Sequence, residues 1–165
     1  MKALPKIKSK EIEKAEDDSW DFLYVFLNEY FEMIDKNKDI MKEFNDFQHT
    51  LLAYCYLDSQ VCNGGFIQLI QNGYGGYIFN NPFSDAIKSW GAEETAKIVE
   101  AAKVIYKKHK EKLETETSLD EFSELYSDIK DFEPLEDEYY KIKEQEVEKV
   151  KKYVEEHIND FGIIE

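Results

Sequence analysis

Apolar residues recur at intervals of three and four along most of the chain, the pattern of helices that bury one face. From about Asp17 to Ile34 the positions Trp20, Leu23, Phe26, Leu27, Tyr30, Phe31 and Ile34 make a wide apolar stripe. Asp17, Asp18 and Ser19 precede it with N-cap and first-turn chemistry. Residues 9–16 extend this helix by two ragged turns. A second helix is expected from about Lys38 to Cys62, with Phe44, Phe47, Leu51, Leu52, Tyr54, Cys55 and Val61 inward. Gly64 or Gly65 reads as its C-terminal stop. A short helix follows from near Ser84 to Gly91, then an alanine-rich one from Ala92 to Lys110 that packs Ile98, Val99, Ala102, Ile105 and Tyr106. Ser118 and Glu121 have the spacing of a capping box and open a helix to about Phe132. Pro134 marks a boundary, and a long last helix runs from about Leu135 to Asn159. Sustained alternation is absent, so no strands are expected. The pattern predicts an all-α fold of about six to eight helices in one compact domain. Residues 17–161 form its core and residues 1–16 a ragged extension.

One stretch departs from simple periodicity. Six of the seven glycines (Gly64, Gly65, Gly73, Gly75, Gly76 and Gly91) fall between Val61 and Gly91. Phe66, Ile67, Leu69, Ile70, Tyr77, Ile78, Phe79, Ile87 and Trp90 sit among them. A flexible linker would not carry that apolar load, so the stretch reads as short helical pieces threaded through the core.

Charge changes the functional picture. The chain has a formal net charge of −15, and all 21 basic residues are lysine. Arginine, the usual bidentate reader of phosphate and guanine, is absent. Direct nucleic-acid binding is disfavoured on both grounds. Residues 1–110 hold 17 acids and 14 lysines, whereas residues 111–165 hold 19 and 7. On a helix over 119–132, Asp120, Glu121, Glu124, Asp128 and Asp131 share one arc. Leu119, Phe122, Leu125, Tyr126, Ile129 and Phe132 lie opposite. Glu136, Asp137 and Glu138 extend the acidic run. Carboxylates repeating at this spacing sit about 5–6 Å apart, near the separation of successive phosphates, and would attract a partner that neutralises phosphates. An acidic surface that only keeps a small domain soluble is the plainer alternative.

The centre then carries a resemblance. Asn63-Gly64-Gly65-Phe66, followed by Gln68 and by Asn72 with glycines beyond, resembles the signature of the DNA-mimic-protein-19-like family. A short helix ending at Gly91-Ala92 and the run Leu135-Glu136-Asp137-Glu138-Tyr139-Tyr140 also look like it. The resemblance spans roughly residues 20–161 and departs from the family pattern at Gly73–Tyr77 and at Asn80-Asn81-Pro82. It implies an all-helical fold and, for part of the family, an acidic surface that occupies the DNA-binding face of a transcription factor.

Other chemistry is thinly represented. Asn63, Gln68 and Asn72 either line a small polar pocket or satisfy backbone groups where helices break. His49, His109 and His157 are isolated and lack metal spacing. Cys55 and Cys62 share a helix face and read as structural thiols of a reduced, cytoplasmic protein. Tyr74 and Tyr77, in a glycine-rich turn, are the aromatics expected at the surface. No signal peptide, membrane span, P-loop, dinucleotide fingerprint or nucleophile elbow is found. The expectation is a non-enzymatic protein without cofactor or metal that binds a basic protein, such as a DNA-binding regulator. An immunity protein capping a basic nuclease is the alternative, and a ligand or enzyme site at Asn63–Tyr77 the third reading.

Overall fold

The computed structural model describes residues 3–165. Nine α-helices among them carry nearly all the regular structure, so the fold is all-α. The helix count is slightly above expectation because residues 9–15 form their own helix and Lys110–Glu114 adds another. Two compact units are present: residues up to Leu52 with Val147–Glu165, and Ala53–Glu146.

The first unit contains β1 (Lys6–Ile7), α1 (Ser9–Ala15), α2 (Ser19–Lys36), a 3-10 stretch at Lys38–Glu43 and the start of α3 (Asp46–Gln71). It also holds the end of α9 (Glu133–Glu156) and β2 (Ile163–Ile164). Asp18 caps α2 by accepting the Asp21 N–H at 2.9 Å. Phe22, Leu23, Phe26, Leu27 and Tyr30 form its buried face. The Tyr30 hydroxyl donates to the Phe161 carbonyl at 2.7 Å, so the largest polar side chain of that face is satisfied. The expected helix from Lys38 begins instead at Asp46. Asn45 accepts the Gln48 N–H at 2.9 Å while Gln48 accepts the Asn45 N–H at 3.0 Å, a reciprocal cap that fixes the start there. The strands were not expected. They pair in parallel over two residues each, too short for a periodicity to register.

The second unit holds the rest of α3, then α4 (Gly75–Phe79), α5 (Phe83–Ser89), α6 (Glu93–Lys108), α7 (Lys110–Glu114), α8 (Leu119–Asp128) and the first part of α9. Phe66 stacks on Phe132 at 5.4 Å between ring centroids, and Phe79 stacks on Tyr106 at 4.9 Å. These rings are all buried and join α3, α4 and α6 to the turn just before α9. Helix α6 has no side-chain cap of its own. Its Thr95 N–H is instead taken at 2.9 Å by the carboxylate of buried Glu146, 51 residues away. Helix α9 begins at Glu133, before rather than after Pro134, which occupies the first turn where its missing N–H costs nothing.

Candidate functional site

Helix α8 starts by local means and ends by tertiary ones. The Ser118 hydroxyl accepts the Glu121 N–H at 3.3 Å, and the Glu121 carboxylate accepts the Ser118 N–H at 2.8 Å, the expected capping box. The helix stops at Asp128 rather than Phe132 because Ile129 turns extended and, like Phe132, is buried. Asp131 is exposed but lies beyond the helix, outside the arc of Asp120, Glu121, Glu124 and Asp128. Leu119, expected inward, is 87% exposed beside Asp120.

The row of carboxylates is also shorter than expected. Lys112 meets Asp128 at 2.5 Å, and Lys108 and His109 meet Asp131 at 3.6 and 3.8 Å. Lys112 of α7 reaches across to α8 and Lys108 of α6 to the turn beyond it, contacts that counting charges along α8 alone does not reveal. Glu121 is engaged in its own cap. Asp120 and Glu124 form no ion pair among the described residues and remain exposed. On α9, Asp137 and Glu138 are exposed, with Glu138 paired to Lys141 at 3.4 Å. Glu136 does not join this surface.

Glu136 turns toward the centre, where α3 breaks. Gly64 (φ −150°, ψ 17°) and Gly65 (φ 76°, ψ −172°) interrupt α3 without ending it, so the expected C-terminal stop is a kink. In an unbroken helix the Phe66 N–H would bond to the Cys62 carbonyl. Here the Phe66 N–H donates to Glu136 Oε1 at 2.8 Å, and the Cys62 carbonyl accepts the Tyr140 hydroxyl at 2.9 Å. Glu136 and Tyr140 stand four apart on α9, hence on one face. Together they replace the two halves of the missing bond. The Gly64 carbonyl is taken by the Tyr126 hydroxyl of α8 at 2.5 Å.

This geometry explains the residue choice. Gly65 has a backbone conformation that L side chains rarely adopt, and a methyl there would lie 2.2 Å from Glu136 Oε1. At Gly64 a methyl would fall on the Gln68 side chain. The amides chiefly bond one another: Asn63 donates to Gln68 at 3.2 Å, and Gln68 and Asn72 both donate to Gln60 at 3.1 and 2.7 Å. They do not satisfy the broken backbone, which the tyrosines and Glu136 serve. Sequence analysis placed Tyr126 on the inner arc of α8 and Tyr140 in the acidic-aromatic run but gave neither a role, and it missed Gln60.

Burial raises the Glu136 carboxyl above its ordinary value, the Phe66 N–H opposes that, and Glu133 and Asp137 add to it. Burial, then Asp58, pushes the Cys62 thiol up to about 11, the opposite of the lowered value that activates a cysteine. Tyr74 and Tyr77 are half-buried rather than displayed: Tyr74 stacks on Tyr56 at 4.5 Å and Tyr77 meets it edge-on at 6.1 Å. His157 stacks on Tyr153 at 4.0 Å. Among the described residues no cluster suited to a metal ion forms, and no helix is long and apolar enough to cross a membrane.

The kink, the carboxylates and the tyrosines that tie them all lie within residues 42–157, the range matched by the family model described as DMP19-like protein. The chain belongs to the DMP19-like family. A relative from Neisseria meningitidis serogroup B (strain ATCC BAA-335 / MC58), "DNA mimic protein DMP19", is 35% identical over 144 residues, covering 86% of this chain and 87% of its own. In this DMP19-like chain the Asn63–Phe66 motif is therefore a helix break, and Glu136 to Tyr140 is the segment that closes it.

Proposed function

We propose that this protein is a non-enzymatic interaction module whose acidic surface occupies the DNA-binding face of a basic protein, a transcription regulator, in place of nucleic acid. The observation that carries the reading is the exposed pair Asp120 and Glu124 on α8, which has no lysine partner among the described residues, with Asp137 also exposed on α9. Membership of the DMP19-like family and a relative named as a DNA mimic support the same reading. The two free cysteines fit a reduced, cytoplasmic setting. Complementary charge of this kind speeds encounter and weakens as salt screens it.

The test is affinity capture from the native cell extract at low salt, with elution by a salt gradient, beside a Asp120→Lys/Glu124→Lys variant. A basic DNA-binding protein released at moderate salt, displaced by duplex DNA and lost with the variant, is the expected result. Equal recovery by both proteins would reduce the charge to solvation.

A further inference from the structure

The side chains that close the kink come from the two elements that display the free carboxylates. Tyr126 lies two residues beyond Glu124 on α8, about 200° around the helix and so facing inward. Glu136 and Tyr140 bracket Asp137 on α9. Helix α8 has 10 residues. An isolated helix under about 12–15 residues is marginal in water, so a fixed row of charges on α8 depends on tertiary ties. Buried Leu125 supplies one and the Tyr126 hydroxyl on the Gly64 carbonyl another. On α9 the tie is the pair of bonds from Glu136 and Tyr140 to the halves of the broken Phe66–Cys62 step.

We infer that the Gly64–Gly65 break is the mount of the acidic surface, and that Tyr126, Glu136 and Tyr140 are positioning residues that set the carboxylates of α8 and α9 against a partner. This rests on the interaction reading above and adds to it a division of labour among the acids. Asp120, Glu124 and Asp137 make contact, while Glu136 acts through the Phe66 amide. The break supplies donor and acceptor at one place, because removing a single helical bond frees both. A carboxylate and a hydroxyl one helical turn apart can take both at once, whereas an unbroken helix offers neither. Held this way, the charges need not be ordered when the partner arrives, which lowers the cost of association.

The experiment uses the full chain, with a labelled alanine-based helical peptide carrying arginine at every fourth position as the probe. Affinity is measured across a salt series, and amide hydrogen exchange is followed at Phe66 by NMR. Glu136→Gln keeps an oxygen that accepts the Phe66 N–H, so it is expected to match the parent within about twofold in affinity, with the parent salt slope. Glu136→Leu and the milder Tyr126→Phe should lower affinity several-fold with that slope kept. Glu136→Leu should also speed Phe66 exchange about tenfold or more, since the lost bond is what protects it. Glu124→Gln should do the reverse, flattening the slope and leaving Phe66 exchange unchanged. If Glu136→Gln flattens the slope as Glu124→Gln does, Glu136 is a contact and the inference falls. Unchanged Phe66 exchange in Glu136→Leu overturns it equally. Failure of the parent chain to bind the peptide removes the interaction reading and this inference with it. The exchange data would then still decide whether Glu136 closes the break.

Discussion

The outer face of α8 and the inner side of α9 are both rich in carboxylates, yet they use them in opposite ways. Asp120 and Glu124 stand in solvent without ionic partners among the described residues, where each costs the fold little and adds to the field outside. Glu136 and Glu146 are aimed at backbone N–H groups, Phe66 and Thr95, the first just after the break in α3 and the second in the first turn of α6, which has no side-chain cap of its own. A carboxylate there accepts a charge-assisted hydrogen bond and meets the positive end of the helix dipole. Acidity in this protein is thus two properties with one composition. The inward acids serve the fold, and in the proposed function the outward ones serve association.

Substitutions can separate these roles, and the largest effect should come from the break itself. Gly65→Ala puts a side chain into a conformation nearly reserved for glycine and into the oxygen of Glu136. A loss of about 3 kcal/mol or more is expected, read as a lower midpoint in urea unfolding. A stability within experimental error of the parent would mean that the backbone at Gly65 relaxes freely. Next comes Glu146→Ala, which strips the Thr95 N–H of its partner inside the core. The expected cost is about 2 kcal/mol, the upper range for a lost cap. Ser118→Ala should cost about 1 kcal/mol, because it removes only half of a solvent-exposed cap.

The inward and outward acids should also part company with pH. Glu136 has its folded pKa raised above the ordinary value of 4.5, so the fold favours its protonated form. Its contribution is fully present below that ordinary value and is lost as pH rises through the raised one. The parent should therefore lose stability relative to Glu136→Gln as pH climbs upward from about 4.5, a trend to be followed by thermal melts at matched ionic strength. Parallel curves for the two proteins would place the carboxyl in an environment no different from water.

Much of this was legible from residue order. Helical periodicity located α2, α6 and α9, and the Ser118–Glu121 spacing located the start of α8. The Asn45–Gln48 cap has the same form and was equally readable, so the misplaced start of α3 is an overlooked local signal. Two outcomes had no local signal. The end of α8 depends on Ile129 and Phe132 being drawn into the interior, which overrides the helical pattern. The inward turn of Glu136 depends on a backbone donor 70 residues away. Its neighbours Asp137 and Glu138 are chemically the same and do point outward, so composition could not sort them. The motif and the acidic-aromatic run were both visible in the chain, but their mutual closure required the fold.

The smallest effect on the fold should come from the surface itself, and it carries the comparison furthest. Asp120→Lys and Glu124→Lys alter exposed residues with no ionic partner among the described residues, so stability should stay within about 0.5 kcal/mol of the parent. Reversal relieves repulsion in a chain of net charge −15, so a slight gain is the expected direction. Lys112→Met removes the partner of Asp128 in a pair about half exposed on both sides, and its cost should likewise be under about 1 kcal/mol. Yet Lys112→Met adds a free carboxylate to the row, and so should strengthen binding of a basic partner while Asp120→Lys weakens it. Near-equal stabilities with opposed binding, measured on the same preparations by urea unfolding and by a salt titration of the complex, would separate the two uses of acidity in one experiment. If Lys112→Met and Asp120→Lys shift binding in the same direction, sign of charge does not govern this surface, and the contrast between outward and inward carboxylates fails at its outer half.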